Sequence, residues 1–182
     1  MKVLVTGASG RVGRALMVRL AREHAVSGFD RVPSSTAHWV GDLGDTTLLR
    51  QALRGVQAVV HAAALHAPQV GRVADAEFQR INVDATRALA ALAAEAGVAQ
   101  FVYTSTTALY GASATPPDAA GWVDEATPPL PATIYHHSKL AAEHLLAGLA
   151  DAGAFGLTVL RMSRCFPETA PVMARARLHR GV

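Results

Sequence analysis

A single cysteine, Cys165, in 182 residues leaves no internal disulfide to form and fits a reducing compartment. Charge is sparse as well, at 17% Asp, Glu, Lys and Arg, with a formal net charge of only +3. The arginines are scattered over helical stretches and do not cluster with aromatics, so no nucleic-acid partner is expected. No apolar stretch is both long enough and free enough of turns and charge to cross a bilayer, so no membrane partner is expected. No secretory leader is visible, because Met1-Lys2 runs straight into an apolar run; with the cysteine usage, this points to the cytoplasm. The eight histidines show no metal-ligand spacing, and the adjacent His136 and His137 point to different sides of a helix, so no metal site is expected. There is no internal repeat, and no low-complexity tract beyond alanine-rich helical stretches. What is plentiful is apolar material: 51% of the residues are hydrophobic. That composition argues against disorder and can build the full core of one domain.

The most informative stretch opens the chain. Val3-Leu4-Val5-Thr6-Gly7-Ala8-Ser9-Gly10-Arg11-Val12-Gly13 is an apolar run followed by three glycines at three-residue spacing, and a helical period then runs from Arg14 to Leu20. Glycine suits a backbone that must bend sharply and pass close to a ligand. The helix beyond it would aim free N–H groups and a positive dipole end into the bend, which favours a pyrophosphate. The second strand, Ala25 to Phe29, ends in Asp30, about the distance downstream that a dinucleotide fingerprint requires. Asp30 could accept hydrogen bonds from both hydroxyls of an adenosine ribose, which favours NAD over NADP. Arg31 beside it could instead meet a 2′-phosphate, leaving NADP as the alternative.

Strands and helices alternate beyond this point. The short apolar piece His38 to Val40 is followed by Asp45, which reads as the N-cap of a helix from Thr46 to Leu53 ended by Gly55. Ala58 to His61 reads as a buried strand. A long helical pattern runs from about Asp75 to Glu95, with Phe78, Ile81, Leu89 and Leu92 on its apolar side and Gly97 at its end. Phe101 to Tyr103 is the next strand. The segment from Gly111 to Thr133, with five prolines, cannot be a regular element. Tyr135 to Leu149 is helical and Leu157 to Leu160 is the last clear strand. Continuous apolar strands alternating with helices predict an α/β fold, a parallel sheet covered on both faces. Ligands in such a sheet bind outside the carboxyl ends of the strands, where Asp30, Asp42, His61, Thr104 to Thr107 and Arg161 fall.

Tyr135 and Lys139 stand four apart on a helix, so the phenol and the ammonium can share a face and one cleft. A nearby cation stabilises a phenolate and lowers a tyrosine pKa from its usual value near 10, giving a general base for neutral pH. Trp122, Asp124 and Glu125 could line a substrate pocket, with a solvated loop as the alternative. Cys165 reads as a buried small residue, since no activating partner can be assigned to it.

Taken in order, these motifs resemble the extended short-chain dehydrogenase/reductase family, the group of NAD-dependent epimerases and dehydratases. The residues that carry the resemblance are Thr6 to Gly13, Asp42-Leu43, His61-Ala62-Ala63-Ala64, Asn82-Val83, Ser105 to Gly111 and Tyr135 to Lys139. It spans almost the whole chain and implies a Rossmann-like doubly wound sheet over residues 1–182. It implies dinucleotide contacts at Gly7, Ser9, Gly10, Arg11, Val12, Gly13 and Asp30, and at Asn82, Thr104, Tyr135 and Lys139. Asp42 and Leu43 would neighbour the adenine, and His61 to Ala64 would form a wall beside the cofactor. The catalytic hydroxyl, four residues before Tyr110-Gly111, would be Thr106, with Ser105 as the near alternative. Tyr135 would then act as base, and Lys139 would bind the nicotinamide ribose and tune the tyrosine.

The same resemblance implies a C-terminal substrate region that begins after about residue 162 and is largely absent here. Either the sequence is a truncated product, or a partner or second copy, as in a homodimer, completes the pocket. Arg161 opens a stretch that resembles an R-x-x-N-x-x-G/P pattern, but Arg164 replaces the asparagine. The expected function is therefore an NAD-dependent sugar-nucleotide epimerase-like oxidoreductase acting on a nucleotide sugar. A dehydratase is disfavoured, because Thr106-Thr107-Ala108 lacks the acidic residues that family dehydratases carry there. The alternatives are an NAD(P)-dependent dehydrogenase or reductase of a sugar, uronate or other small carbonyl, and a non-catalytic dinucleotide-binding module.

Overall fold

The computed structural model describes residues 1–114 and 121–163. Cys165, Arg164 and the remainder of the C-terminal stretch singled out above lie outside the described residues. Six strands, β1 (Lys2–Thr6), β2 (Ala25–Asp30), β3 (Trp39–Val40), β4 (Ala58–His61), β5 (Gln100–Thr106) and β6 (Gly156–Met162), form one parallel sheet in the order β3-β2-β1-β4-β5-β6. The order reverses between β1 and β4, and the crevice at that switch point is where ligands of open α/β sheets bind.

Strand alternation divides the core. Leu4 of β1 packs with Phe29, Val59, Phe101, Leu89 and Leu146 on one face, whereas Val3 and Val5 pack with Met17 and Val60 on the other. The first face carries helices α2 (Thr46–Ala52), α4 (Ala85–Glu95) and α5 (Ile134–Asp151), and the second carries α1 (Arg11–Leu20). Each fully buried Leu or Phe in these layers stabilises the fold by roughly 1.5–3 kcal/mol. Asp45 caps α2 as expected, its carboxylate accepting from the Leu48 N–H at 2.9 Å. Thr133 caps α5 in the same way, through the His136 N–H at 3.3 Å.

Three expectations are corrected. Helix α1 starts at Arg11, inside the glycine run, because Gly10 already takes the extended conformation of an N-cap. β5 runs on to Thr106, because β6 pairs with it along its full length, from Gln100–Gly156 to Thr106–Met162. The stretch from Asp75 to Glu95 is not one uniform helix. It comprises α3 (Asp75–Phe78), a π-helical segment (Gln79–Asp84) and α4. Within the wider turn the buried Asn82 side chain bonds Leu65 and Ser138.

Candidate functional site

A cavity of about 590 Å³ runs along the carboxyl ends of the strands, from the glycine turn to α5. Gly7 lies at φ +73°, a conformation glycine alone adopts freely, and a Cβ there would come within 2.7 Å of the Ala63 nitrogen. Gly13 sits directly against the Gly7 carbonyl, so the first turn of α1 is pressed onto the bend. Gly10 offers no side-chain cap to the helix, which leaves the first N–H groups facing the cavity. Gly7, Ser9, Gly10, Arg11, Val12 and Gly13 all line this end. This is a cradle for a group that must touch backbone, and it fits a pyrophosphate.

Asp30 closes the next section. Its carboxylate accepts from the Ser9 N–H at 2.9 Å and from the Val32 N–H at 2.8 Å, so both oxygens are oriented while retaining lone pairs for a further donor. The loop after it is strapped to the glycine turn through Ser34 to Ser9 at 2.8 Å and through Thr36 to the Ala8 carbonyl at 2.7 Å. Farther along, Asp42 and Leu43 line the cavity. Arg80 forks onto Asp42 at 2.9 and 3.3 Å, and this hydrogen bonding is the main reason the Asp42 carboxyl is held below its ordinary range. The charge of Arg31 acts on Asp42 in the same direction.

At the other end stand Tyr135, Thr106, Thr104 and Lys139, with Ala62, Ala63 and Ala64 forming the intervening wall. Helix α5 buries an unusual stripe here: beside Ala142 and Leu146 it turns Ser138, Lys139 and Glu143 inward, and each has a partner. Ser138 accepts from Asn82 at 2.9 Å, and Lys139, only 2% exposed, donates to the Thr104 carbonyl at 2.6 Å. Its Nζ also lies 4.0 Å from the centre of the Tyr103 ring. Glu143 receives Arg161 of β6 at 2.7 Å, and the same guanidinium donates to the Tyr110 hydroxyl at 3.0 Å. Burial pulls the Lys139 ammonium down to about 7, with the charge of Glu143 opposing.

The expectation that Lys139 lowers the Tyr135 pKa is corrected. Burial raises the phenol above its ordinary value, and hydrogen bonding with Thr106 draws it partly back; the ammonium is committed to Thr104 and the Tyr103 ring instead. The hydroxyl that acts on Tyr135 is thus that of Thr106, while Ser105 is buried at 5% exposure.

Two more residues sit differently from expectation. His61 does not join the wall, because its ring is fully buried beneath it, stacked on Tyr103 at 5.7 Å. Burial, aided by the charge of Lys139, pushes its imidazole down to about 3. Asn82, also buried, does not line the cavity and braces the site from behind. Trp122, 90% exposed, and Asp124, turned onto its own loop through Ala126 and Thr127, do not line it either, and neither does Glu125. Sequence reading missed the lining residues Leu65, His66, Gln69, Ile81 and Met162. Their only advance signal was position at the end of a strand or on the inner side of a helical pattern.

The two buried basic side chains, His61 and Lys139, dictate a pH response. Between pH 3 and 6.5 the unfolded chain protonates His61 while the native chain does not; between 7 and 10.5 the same holds for Lys139. The unfolded state binds more protons in both windows, so stability rises with pH through each. Above about 10 the trend reverses, because burial raises the phenols of Tyr103 and Tyr135 and the unfolded state then loses protons first. Urea midpoints are expected to climb from neutral to mildly alkaline pH, and Lys139→Met to flatten that climb. A parent curve that is flat there would show that folded Lys139 holds its proton as firmly as the unfolded chain does.

Among the described residues, no helix is long and apolar enough to cross a membrane, and no cluster of His, Cys, Asp and Glu could hold a metal ion. The model of the NAD-dependent epimerase/dehydratase family matches residues 3–176. A UDP-glucose 4-epimerase of Streptomyces lividans is 34% identical over 170 residues, covering 86% of this chain and 49% of that protein. A 3-beta-hydroxysteroid dehydrogenase of Mycolicibacterium neoaurum is 37% identical over 115 residues, covering 57% of this chain and 31% of its own. Among solved structures, MoeE5 in complex with UDP-glucose and NAD superposes with a TM-score of 0.79 at 34% identity, covering 99% of this chain and 60% of that one. The chain thus spans about a third to three fifths of the length of the proteins it matches.

Proposed function

The chain belongs to the NAD-dependent epimerase/dehydratase family, and on that premise we propose that its cavity binds NAD and serves a sugar-nucleotide epimerase-like oxidoreductase with a nucleotide sugar as substrate. The observation that carries this reading is one continuous cavity with a pyrophosphate cradle at one end and Tyr135, Thr106 and Lys139 at the other.

NAD would supply a hydride acceptor that can also return the hydride. The chain's own residues would do the rest. Tyr135 Oη, as the phenolate, would take the proton of a sugar hydroxyl as that carbon is oxidised, and Thr106 Oγ1 would hold the reacting oxygen, its hydrogen bond and the positive charge of bound NAD opposing the effect of burial on the phenol. Lys139, anchored to the Thr104 carbonyl, would hold the nicotinamide ribose. Return of the proton from Tyr135 as the keto group is reduced from its other face gives the epimer. Ala62 to Ala64 place no polar side chain along the wall.

A dehydrogenase or reductase acting on a less polar carbonyl is the second reading. Leu65, Ile81 and Met162 on the lining favour it, as does the likeness to a hydroxysteroid dehydrogenase. Mass spectrometry of the purified protein separates the two. Retained NAD supports the epimerase, and an empty protein that turns over added cofactor supports the dehydrogenase.

Cofactor choice gives a further test. Asp30 has lone pairs left for the ribose hydroxyls and would repel a 2′-phosphate, so NAD is expected to bind more tightly than NADP even with Arg31 on the lining. Asp30→Ala is expected to narrow the preference, mainly by weakening NAD by about tenfold, the equivalent of one charge-assisted hydrogen bond. Calorimetric titration with both dinucleotides decides it; a parent that prefers NADP would assign the site to Arg31.

A further inference from the structure

Behind the cavity wall runs a set of buried hydrogen bonds that joins β1, β4, the π-helical segment, α4 and α5, and its direction can be worked out atom by atom. The Asn82 amide is oriented by backbone alone: Oδ1 accepts from the Leu65 N–H at 2.8 Å and Nδ2 donates to the Leu65 carbonyl at 2.9 Å. The second Nδ2 hydrogen goes to Ser138 Oγ at 2.9 Å, and the Ser138 hydroxyl donates in turn to the Tyr135 carbonyl at 2.9 Å. Thr86 Oγ1 donates to the Asn82 carbonyl at 2.8 Å, so toward His61 Nε2, at 2.9 Å, it can only accept. The ring hydrogen therefore sits on Nε2. Nδ1 keeps its lone pair, which accepts the Thr6 hydroxyl at 2.6 Å, and Thr6 Oγ1 faces the Ala63 N–H at 3.4 Å.

The other two forms of the ring do not fit. Hydrogen on Nδ1 would leave Nε2 and Thr86 Oγ1 facing each other with lone pairs, in a place no water reaches. An imidazolium would be a buried charge close to the Lys139 ammonium. Each hydroxyl in the chain has one hydrogen to give, so the direction set by the Asn82 backbone carbonyl runs through Thr86 and His61 to Thr6, at the end of β1.

We infer that His61 is a positioning residue, held as the neutral Nε2–H tautomer, that fastens the end of β1 and the Ala62–Ala64 wall to the π-helical segment and to the base-bearing helix α5. The cradle and the helix that carries Tyr135 then keep their spacing as one body. The tautomer and the chain stand on the hydrogen bonds alone; the consequence for cofactor binding rests on the NAD reading above.

Long-range ¹H–¹⁵N spectra of the histidine-labelled protein report which ring nitrogen carries hydrogen. His61 is expected to show an unprotonated Nδ1 and a protonated Nε2; the reverse pattern, or two protonated nitrogens, would overturn the inference. In Thr6→Val the backbone amides of Thr86, Ser138 and Lys139 are expected to shift, whereas changes confined to residues touching Thr6 would show that nothing is transmitted. NAD affinity of that variant is expected to fall about tenfold, as for one lost hydrogen bond, and to recover in Thr6→Ser, which keeps the hydroxyl. An unchanged affinity in Thr6→Val would remove the link to the cradle. A parent that binds no NAD would sink the cofactor reading while leaving the ring spectrum and the amide shifts to judge His61.

Discussion

Tyr135→Phe is expected to lower hydride transfer by about 10² to 10⁴-fold, the usual loss when a general base is removed, with NAD affinity nearly unchanged. The phenylalanine keeps the ring packing against Leu65, Phe78 and Ile81 and deletes only the hydroxyl that faces Thr106. NADH formation in a single turnover with nucleotide sugar, beside a calorimetric NAD titration, reads both quantities. Because burial raises this phenol, the protein without cofactor should also show one tyrosine titrating above 10 that is missing from the variant. Near-parent hydride transfer in Tyr135→Phe would leave the tyrosine a packing residue and take away the proposed mechanism.

The second large effect belongs to Gly13→Ala. A methyl group there would overlap the Gly7 carbonyl oxygen and lie 2.7 Å from the Gly7 carbonyl carbon and 2.9 Å from Ala8 Cα. All of these are backbone atoms, so no side chain can swing aside. Overpacking of this kind costs about 1–3 kcal/mol, and relief requires the start of α1 to move off the glycine turn. Both a lower urea midpoint and loss of NAD binding are therefore expected. Gly148→Ala is the control: it lies in α5 with nothing within 4 Å of its added Cβ, and it should stabilise by about 0.5–1 kcal/mol. If Gly13→Ala bound NAD like the parent, the close crossing at the turn would not be what shapes the cradle.

Local signals were the ones legible in the chain itself. Asp45 ahead of Thr46, the small apolar run Ala58 to His61 and the glycine after Glu95 each mark an element through its own neighbours, and each stands where expected. The lining of the cradle followed from the same short stretch, because one bend and one helix start make it. The π-helical segment was invisible, because Phe78, Ile81, Leu89 and Leu92 keep a helical rhythm through it and beyond it. The partners of Asn82 within it, Leu65 and Ser138, stand 17 and 56 residues away. Lys139 was misread for the same reason. Its spacing from Tyr135 is local, but the acceptor that holds it, the Thr104 carbonyl, is 35 residues distant. His61 looked like wall, since a strand of four buried residues gives no alternation from which to tell inside from outside.

The strand order β3-β2-β1-β4-β5-β6 also bears on how the chain is made. Each strand, taken in the order of synthesis, joins an edge that is free at that moment: β2 and β3 extend one side of β1, and β4, β5 and β6 then extend the other. No strand has to be inserted between two that are already paired. A chain leaving the ribosome from its N-terminus can therefore lay down this sheet without undoing any earlier pairing. The glycine turn and its acidic partner Asp30 come together within the first thirty residues, whereas the Lys139 ammonium is buried only when α5 closes over β5. The favourable part of the site is assembled first, and the charge that opposes folding is taken out of water later.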